Sequence, residues 1–319
     1  MGKRYLFILW GLLLALTSAA QIFPGYRTSN YTGVNGVFFN PANIADNRYK
    51  WDVNLLSANA FVGNDQTGQK FSEITKSFHT DSLKSKLLRG NGKVNSLIYL
   101  DLTGPSFMIG LGRNTAIALT SRSRIFSNGR DVNGNLALAT IDAGHSNVAT
   151  PYNFNSNQSM IHAMGWTELG ISLGQVLTPK KGRHFFKAGL TIKYLGGTAD
   201  SYLRMNNITG TVGNTGGTNY ITGPASGAIL LNSTNTDNFS DYHIGDLLKF
   251  RGSGIGGDIG FVYEWRPPAN YSMYETDRFA NKYKIKVGVA LMDVGMIKFN
   301  KPGNIATYYQ VDIPAPDQY

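Results

Sequence analysis

The chain has 319 residues, of which 16% are charged and 12% aromatic, with 37 Gly, no Cys and a net charge of +10. Low charge and abundant Gly argue against a soluble helical protein, and the lack of Cys excludes a disulfide framework, a thiolate metal site and a cysteine nucleophile. The positive charge is not gathered into a basic helix or an aromatic–basic module, so nucleic acid is not expected as a partner.

The first 20 residues have the pattern of a secretory signal peptide. Lys3 and Arg4 form a basic start, and Tyr5–Leu16 is an apolar run too short to span a bilayer comfortably. Ser18–Ala20 then supplies the small residues that a cleavage site needs. We therefore expect an exported protein.

Residues 21–50 form an N-terminal segment in which Gly and Pro interrupt any regular period. Irregular backbone survives at membrane depth only inside protein or in a wet cavity. We therefore expect this segment to lie in or below the lumen of a β-barrel, with side-chain hydrogen bonds of Asn40 fixing the turn before Pro41.

Strand-like alternation of polar and apolar residues begins at Trp51 and recurs along the chain. It predicts strands at 51–62, 94–102, 105–111, 116–126, 161–177, 184–195, 200–208, 255–265 and 283–292. The dipeptide Thr103-Gly104 predicts a tight hairpin between two of these strands. Residues 127–159 and 209–245 are rich in Asn, Gly, Ser and Thr, which predicts two long polar loops.

Two further stretches depart from this pattern. Residues 67–88 approach helical spacing, which predicts a minor amphipathic helix in a loop. The tail Ile313–Tyr319 does not have the pattern of a strand. The barrel is assigned to residues 51–319, and the tail leaves open whether the chain stops before the barrel closes.

Short turns that alternate with long polar loops are typical of an outer-membrane barrel. Apolar faces persist here over about ten residues, the length that a tilted strand needs to cross a bilayer. We predict an all-β fold, an antiparallel transmembrane outer-membrane β-barrel of about 12–14 strands when complete. The alternative is a periplasmic β-sandwich, whose strands are usually shorter and carry polar outward residues.

Alternation divides the strand residues between two faces. The residues expected to face the lumen are charged: Arg122, Arg124, Glu168, Lys187, Lys193, Asp258, Glu264, Lys282, Lys284 and Lys286. The residues expected to face lipid are apolar: Ile259, Phe261, Tyr263, Ile285, Val287 and Val289. We expect the lumen charges to pair with one another and to keep the lumen plugged. An anion-selective channel is the alternative.

Two stretches resemble known barrels. Tyr31–Asn43, with its Asn40-Pro41-Ala42 triplet, resembles the mature N-terminus of an uncharacterised family of Bacteroidota outer-membrane barrels. The triplet is also similar to one in FadL-like fatty-acid transporters and in PorV-type barrels of type IX secretion. Gly252–Pro267 resembles a Gly-rich strand of the same uncharacterised group. The resemblance implies a single outer-membrane barrel with an N-terminal segment packed in or under its lumen.

No motif indicates catalysis. Gly252–Gly257 fits G-x-G-x-x-G, but a predicted strand follows it, where a dinucleotide site needs a helix. The five His do not have the spacing of a zinc site, and the chain contains no G-x-S-x-G elbow. We expect no enzymatic activity, no cofactor and no metal.

The expected role is therefore that of a non-enzymatic structural or scaffold component of the bacterial outer membrane. Its expected partners are membrane lipid and other envelope proteins. The alternative function is transport, either a FadL-like route for small hydrophobic solutes or a narrow pore that prefers anionic solutes.

Overall fold

The computed structural model describes residues 29, 31–65, 92–112, 114–134, 152–178, 182–215, 218–234, 249–267, 281–299 and 307–314. The predicted signal peptide and the predicted helix at 67–88 lie outside these residues. Within the described ranges, no helix has both the length and the apolar character to cross a bilayer.

The described part of the chain is all-β, with eleven strands joined antiparallel in one sheet. The strands are β1 (Trp51–Asn54), β2 (Ser57–Asn64), β3 (Lys93–Thr103), β4 (Ser106–Leu111), β5 (Thr115–Asn133), β6 (Tyr152–Val176), β7 (His184–Thr215), β8 (Thr218–Ser233), β9 (Gly252–Trp265), β10 (Ile285–Phe299) and β11 (Thr307–Ile313). Two short 3₁₀ turns, Gly33–Phe38 and Pro41–Ile44, precede β1.

Long central strands organise the sheet into two levels. β5 pairs first with β4 and then with β3, and β7 pairs first with β9 and then with β8, while β6 lies between β5 and β7. The first level therefore runs β1-β4-β5-β6-β7-β9-β10, and the second runs β2-β3-β5-β6-β7-β8-β11. Among the described residues the strands at the two ends do not pair with each other, so the sheet is open.

The predicted hairpin at Thr103-Gly104 is wrong. β3 and β4 do not pair; both run in the same direction against β5, so they form one line of strand with a break. Pro105 lies in that break, and its missing N–H interrupts the ladder without reversing the chain. The reversal comes later, at Gly112, whose φ of +80° is a backbone conformation that favours glycine.

The described parts of the two predicted polar loops are almost entirely strand. β5 continues to Asn133 and β6 begins at Tyr152, while β7 runs unbroken to Thr215 and β8 follows at Thr218. A ladder of backbone hydrogen bonds needs no apolar side chains, so polar composition alone did not mark the ends of these strands. β11 was not predicted either, and β10 extends through a bulge to Phe299.

The sheet is strongly curled. Arg124 on β5 and Asp293 on β10 form an ion pair with 2.8 Å between Nη1 and Oδ2. Four strand spacings separate these strands, which would be about 19 Å in a flat sheet. The face on which they meet is therefore concave. It also carries residues 31–48 of the N-terminal segment, and we call it the inner face.

Candidate functional site

The N-terminal segment is fixed to the inner face through Asn40. The Asn40 Nδ2 group donates hydrogen bonds to the carbonyl oxygens of Phe261 on β9 (3.1 Å) and Val289 on β10 (3.2 Å). Its Oδ1 accepts a hydrogen bond from Ala42 N at 2.9 Å, with Pro41 in the first position of the 3₁₀ turn. Asn40 makes side-chain hydrogen bonds as predicted, but the turn that it caps begins at Pro41, and the same side chain ties that turn to two strands.

Small residues line up across the sheet beneath this segment. The register places them in one row over six neighbouring strands: Gly110, Ala116, Gly174, Gly189, Gly260 and Ala290. A Cβ atom at Gly189 would lie 2.2 Å from the carbonyl carbon of Pro41, and one at Gly174 would lie 2.6 Å from Ile44 Cγ1. The row is therefore a shallow trough that admits the backbone of the segment.

Apolar side chains of the segment fill the space next to the trough. Val34, Val37 and Ile44 are fully buried and form one cluster with Met108 and Ala118 of the sheet. Burial of each large aliphatic side chain is worth about 1.5–3 kcal/mol. The docked segment is therefore part of the hydrophobic core of the protein.

We expect Asn40→Ala to lower the free energy of unfolding by about 1–3 kcal/mol, because Ala42 N loses its acceptor and the turn loses both bonds to the sheet. Asn43→Ala is the matched control, since the Asn43 amide makes one longer bond, 3.3 Å to Gly36 O. Urea unfolding of both variants measures the difference. Equal losses for the two variants would contradict the anchoring role of Asn40.

A cluster of five charged side chains, the Lys193 cluster, lies on the inner face away from the trough. Its members are Arg124, Glu168, Lys193, Asp258 and Asp293. Lys193 Nζ lies 2.7 Å from Asp293 Oδ1, 2.9 Å from Asp258 Oδ2 and 3.4 Å from Glu168 Oε2. Arg124 Nη2 lies 2.9 Å from Glu168 Oε1. Carboxylates thus surround Lys193, as buried charge requires.

A neighbouring ion pair joins the sheet to the N-terminal segment. Arg122 on β5 forms a two-pronged pair with Asp101 on β3, with Nε 2.7 Å from Oδ1. The guanidinium carbon of Arg122 also lies 5.0 Å from the centre of the Phe38 ring, within the range of a cation–π contact.

A second group of charges, the Arg266 cluster, lies at the other end of the inner face. Arg266 follows β9 and donates to Glu264 Oε2 (2.6 Å) and to Asp46 Oδ2 (3.2 Å) through Nη2, while its guanidinium stacks 3.5 Å above the Phe185 ring. Lys282 Nζ lies 3.9 Å from Asp46 Oδ1. Lys187 Nζ donates to Ala45 O at 2.8 Å. Asp46 and Ala45 belong to the segment, so this cluster also holds it.

The structure brings together most of the charged residues that alternation assigned to one face. Arg124, Glu168, Lys193 and Asp258 meet in the Lys193 cluster, and Lys187, Glu264 and Lys282 meet in or beside the Arg266 cluster. Lys286 lines a small cavity next to Arg266. Lys284 lies elsewhere: it is exposed, with its Nζ 6.0 Å from the Trp265 ring.

Two functional residues were missed from the sequence. Strict alternation places Asp293 with the outward residues of β10, but a bulge between Leu291 and Val294 and a φ of +60° at Asp293 turn its side chain inward. Asp46 lies in irregular backbone, where no periodicity assigns a face. Its φ of +50° is the only mark of a special position, and it is not visible in the sequence.

The six residues assigned to the opposite face lie away from the clusters. Ile259, Phe261, Ile285, Val287 and Val289 are exposed, and Tyr263 is half-buried against the Phe186 ring at 4.8 Å between centroids. Among the residues that the structure describes, no three His, Asp or Glu side chains are grouped so that they could hold a metal ion.

Fold and inner face together define a class: an all-β chain whose curled antiparallel sheet holds an irregular N-terminal segment against a polar, ion-paired face. The chain belongs to a family of unknown function, DUF5723, whose model matches residues 41–313. No curated protein and no solved structure matches the chain. The matched range begins at Pro41, within the docked turn, and ends in β11.

Proposed function

We propose that this chain is an integral protein of the bacterial outer membrane, that its curled sheet is the wall of a transmembrane β-barrel, and that its role is structural. The observation that carries the proposal is the contrast between the two faces of the first level. The inner face is polar and ion-paired, whereas the opposite face, the outer face, is apolar and exposed over the described residues.

Apolar residues cross the first level in a continuous line, and all of them except the half-buried Ile109 are exposed. The register aligns Trp51, Ile109, Ile117, Leu173, Leu190, Ile259 and Leu291 over seven neighbouring strands. Water-soluble monomers rarely expose an apolar patch of this extent. A lipid environment accounts for the line, because hydrocarbon requires apolar side chains on the outside of a barrel wall.

The curled sheet and its docked segment support a plugged barrel. Closure removes the open edges that a bilayer does not tolerate, and a concave inner face is what partial closure produces. The segment and the two charge clusters occupy that concave face. A barrel filled in this way is suited to stabilise the membrane or to scaffold other envelope proteins.

We expect Phe261→Arg and Val287→Arg to cost about 2–4 kcal/mol in folding from urea into bilayers, the penalty for a cation near the membrane midplane. Ser253→Arg is the matched control, because Ser253 lies near the start of the same strand as Phe261 and is also exposed. A cation close to the interface costs only about 0–1 kcal/mol. Equal, small effects at all three positions would contradict the lipid-facing assignment.

Planar-bilayer conductance tests the structural role against transport. We expect little current through the wild-type protein, because the segment and the ion pairs fill the inner face. Deletion of residues 24–47 should raise the conductance, with a preference for anions from the lysine and arginine side chains that remain. A wild-type protein that already conducts strongly would overturn the plugged, structural role and favour a transporter.

A further inference from the structure

A small polar cavity lies where the N-terminal segment meets the ends of β7 and β9. Its volume is about 20 Å³, enough for one occupant of the size of a water molecule. Among the described residues that line it, four carry cationic side chains, Arg48, Lys187, Arg266 and Lys286, and two carry carboxylates, Asp46 and Glu264. Cationic side chains thus outnumber carboxylates among the described lining residues.

The guanidinium of Arg266, a residue that lines this cavity, has an unused donor. Arg266 is 1% exposed, and its Nε and Nη2 groups donate to Glu264 and Asp46. Its Nη1 is buried and has no hydrogen-bond partner among the described residues. A buried N–H without an acceptor is unfavourable, and most unfavourable on a charged group, so the site calls for an acceptor.

Lys187 supplies further donors to the same cavity. Its side chain is buried at 4% exposure, and the described residues give its ammonium group one acceptor, the carbonyl of Ala45. An ammonium has three N–H donors, so its hydrogen-bonding capacity exceeds that single bond. Two buried cationic groups, one on β7 and one just after β9, therefore share a need for an acceptor in one small space.

We propose that this cavity binds one monatomic, monovalent anion such as chloride, held by Arg266 Nη1 and Lys187 Nζ. A halide accepts hydrogen bonds from all sides and carries a charge opposite to that of both groups. A water molecule accepts two hydrogen bonds but brings two donors of its own. The small volume favours a monatomic anion over phosphate. The proposal does not depend on where in the cell the protein is located.

Thermal unfolding of the full chain in detergent at constant ionic strength tests the proposal. Replacing gluconate, which is too large for the cavity, with chloride should raise the unfolding midpoint of the wild-type protein along a saturating curve. The expected rise is roughly 2 °C at about ten times the dissociation constant. Iodide should act more weakly than chloride because of its size, whereas nonspecific adsorption of anions would give the opposite order.

Lys187→Met should weaken the chloride dependence at least fivefold. Lys93→Met is the control that removes the same charge from an exposed pair with Asp131, and it should keep the wild-type response. Bromide anomalous scattering from crystals of the wild-type protein needs no variant and should give a peak within hydrogen-bonding distance of Arg266 Nη1. The proposal would be overturned if the unfolding midpoint showed no saturable dependence on halide concentration. It would also be overturned if crystals in bromide showed only water in the cavity.

Discussion

Gly189→Ala is expected to release the N-terminal segment from the sheet and to lower the free energy of unfolding by at least about 3 kcal/mol. The added Cβ would lie 2.2 Å from the Pro41 carbonyl carbon and 2.3 Å from Ala42 N, both backbone atoms that cannot rotate away. The segment must therefore move as a unit. Its departure exposes Val34, Val37 and Ile44 and breaks the hydrogen bonds of Asn40.

Gly288→Ala is the matched control for this substitution. Gly288 lies on β10 near the same turn, but a Cβ there would lie 3.4 Å from Asn40 Nδ2, which is ordinary contact. The control adds the same methyl group and removes the same backbone freedom from a strand. A large loss for Gly189→Ala with a loss below about 1 kcal/mol for Gly288→Ala would identify contact with the segment as the cause.

A cysteine reporter separates release of the segment from general unfolding. The chain contains no Cys, so Val37→Cys introduces a single thiol at a position that is 1% exposed. We expect this thiol to react slowly with maleimide in the parent protein and quickly when Gly189→Ala is added, while the strands stay folded by circular dichroism. If the introduced thiol is equally protected with and without Gly189→Ala, the trough does not control docking of the segment.

The alternation of side chains was readable from the sequence, because every second residue of a strand shares a face whatever its neighbours are. Which strands pair with one another could not be predicted from the sequence. The row from Gly110 to Ala290 exists only once six strands are in register, since its members are scattered over the chain with no common spacing. The break at Pro105 shows the same limit, because a hairpin and a broken strand line have similar local composition.

The charged residues of the inner face show where two-residue alternation fails to predict the face on which a side chain lies. Lys193 and Asp258 follow the period of their strands and meet at 2.9 Å. Asp293 does not, because the bulge before it shifts the period of β10 by one residue: Leu291 and Val294 are both exposed although an odd number of steps separates them. A single bulge thus turned a carboxylate from the predicted outer face toward Lys193 and Arg124, with its side chain still 47% exposed.

Lys193→Met is expected to cost about 3–5 kcal/mol of unfolding free energy. The side chain of Asp258 is 1% exposed, and Lys193 is its ion-pair partner among the described residues. Removal of the ammonium leaves this buried carboxylate with the backbone N–H of Asp293, 2.7 Å away, as its described hydrogen-bond donor. Lys193 also lies 2.7 Å from Asp293 and 3.4 Å from Glu168, so three carboxylates lose one shared cation.

Lys93→Met provides the matched control. Lys93 pairs with Asp131 at 3.2 Å, but the two side chains are 71% and 46% exposed, so water solvates both charges when the pair is broken. Exposed pairs of this kind are worth at most about 1 kcal/mol. Urea unfolding of both variants compares the same chemical change in a buried and in an exposed setting. Similar losses would show that the Lys193 cluster is solvated and does not depend on its ion pairs.

The double variant Lys193→Met with Asp258→Asn tests the cause of the loss. If an uncompensated carboxylate is what destabilises Lys193→Met, neutralising Asp258 in that background should recover part of the lost free energy, whereas Asp258→Asn alone should be destabilising. A double-mutant cycle then gives a coupling of about 1–3 kcal/mol between the two side chains, the range for residues in one network. Strict additivity would assign the loss to packing of the lysine stem instead. The cluster would then fill space on the inner face without holding β7 and β9 together through charge.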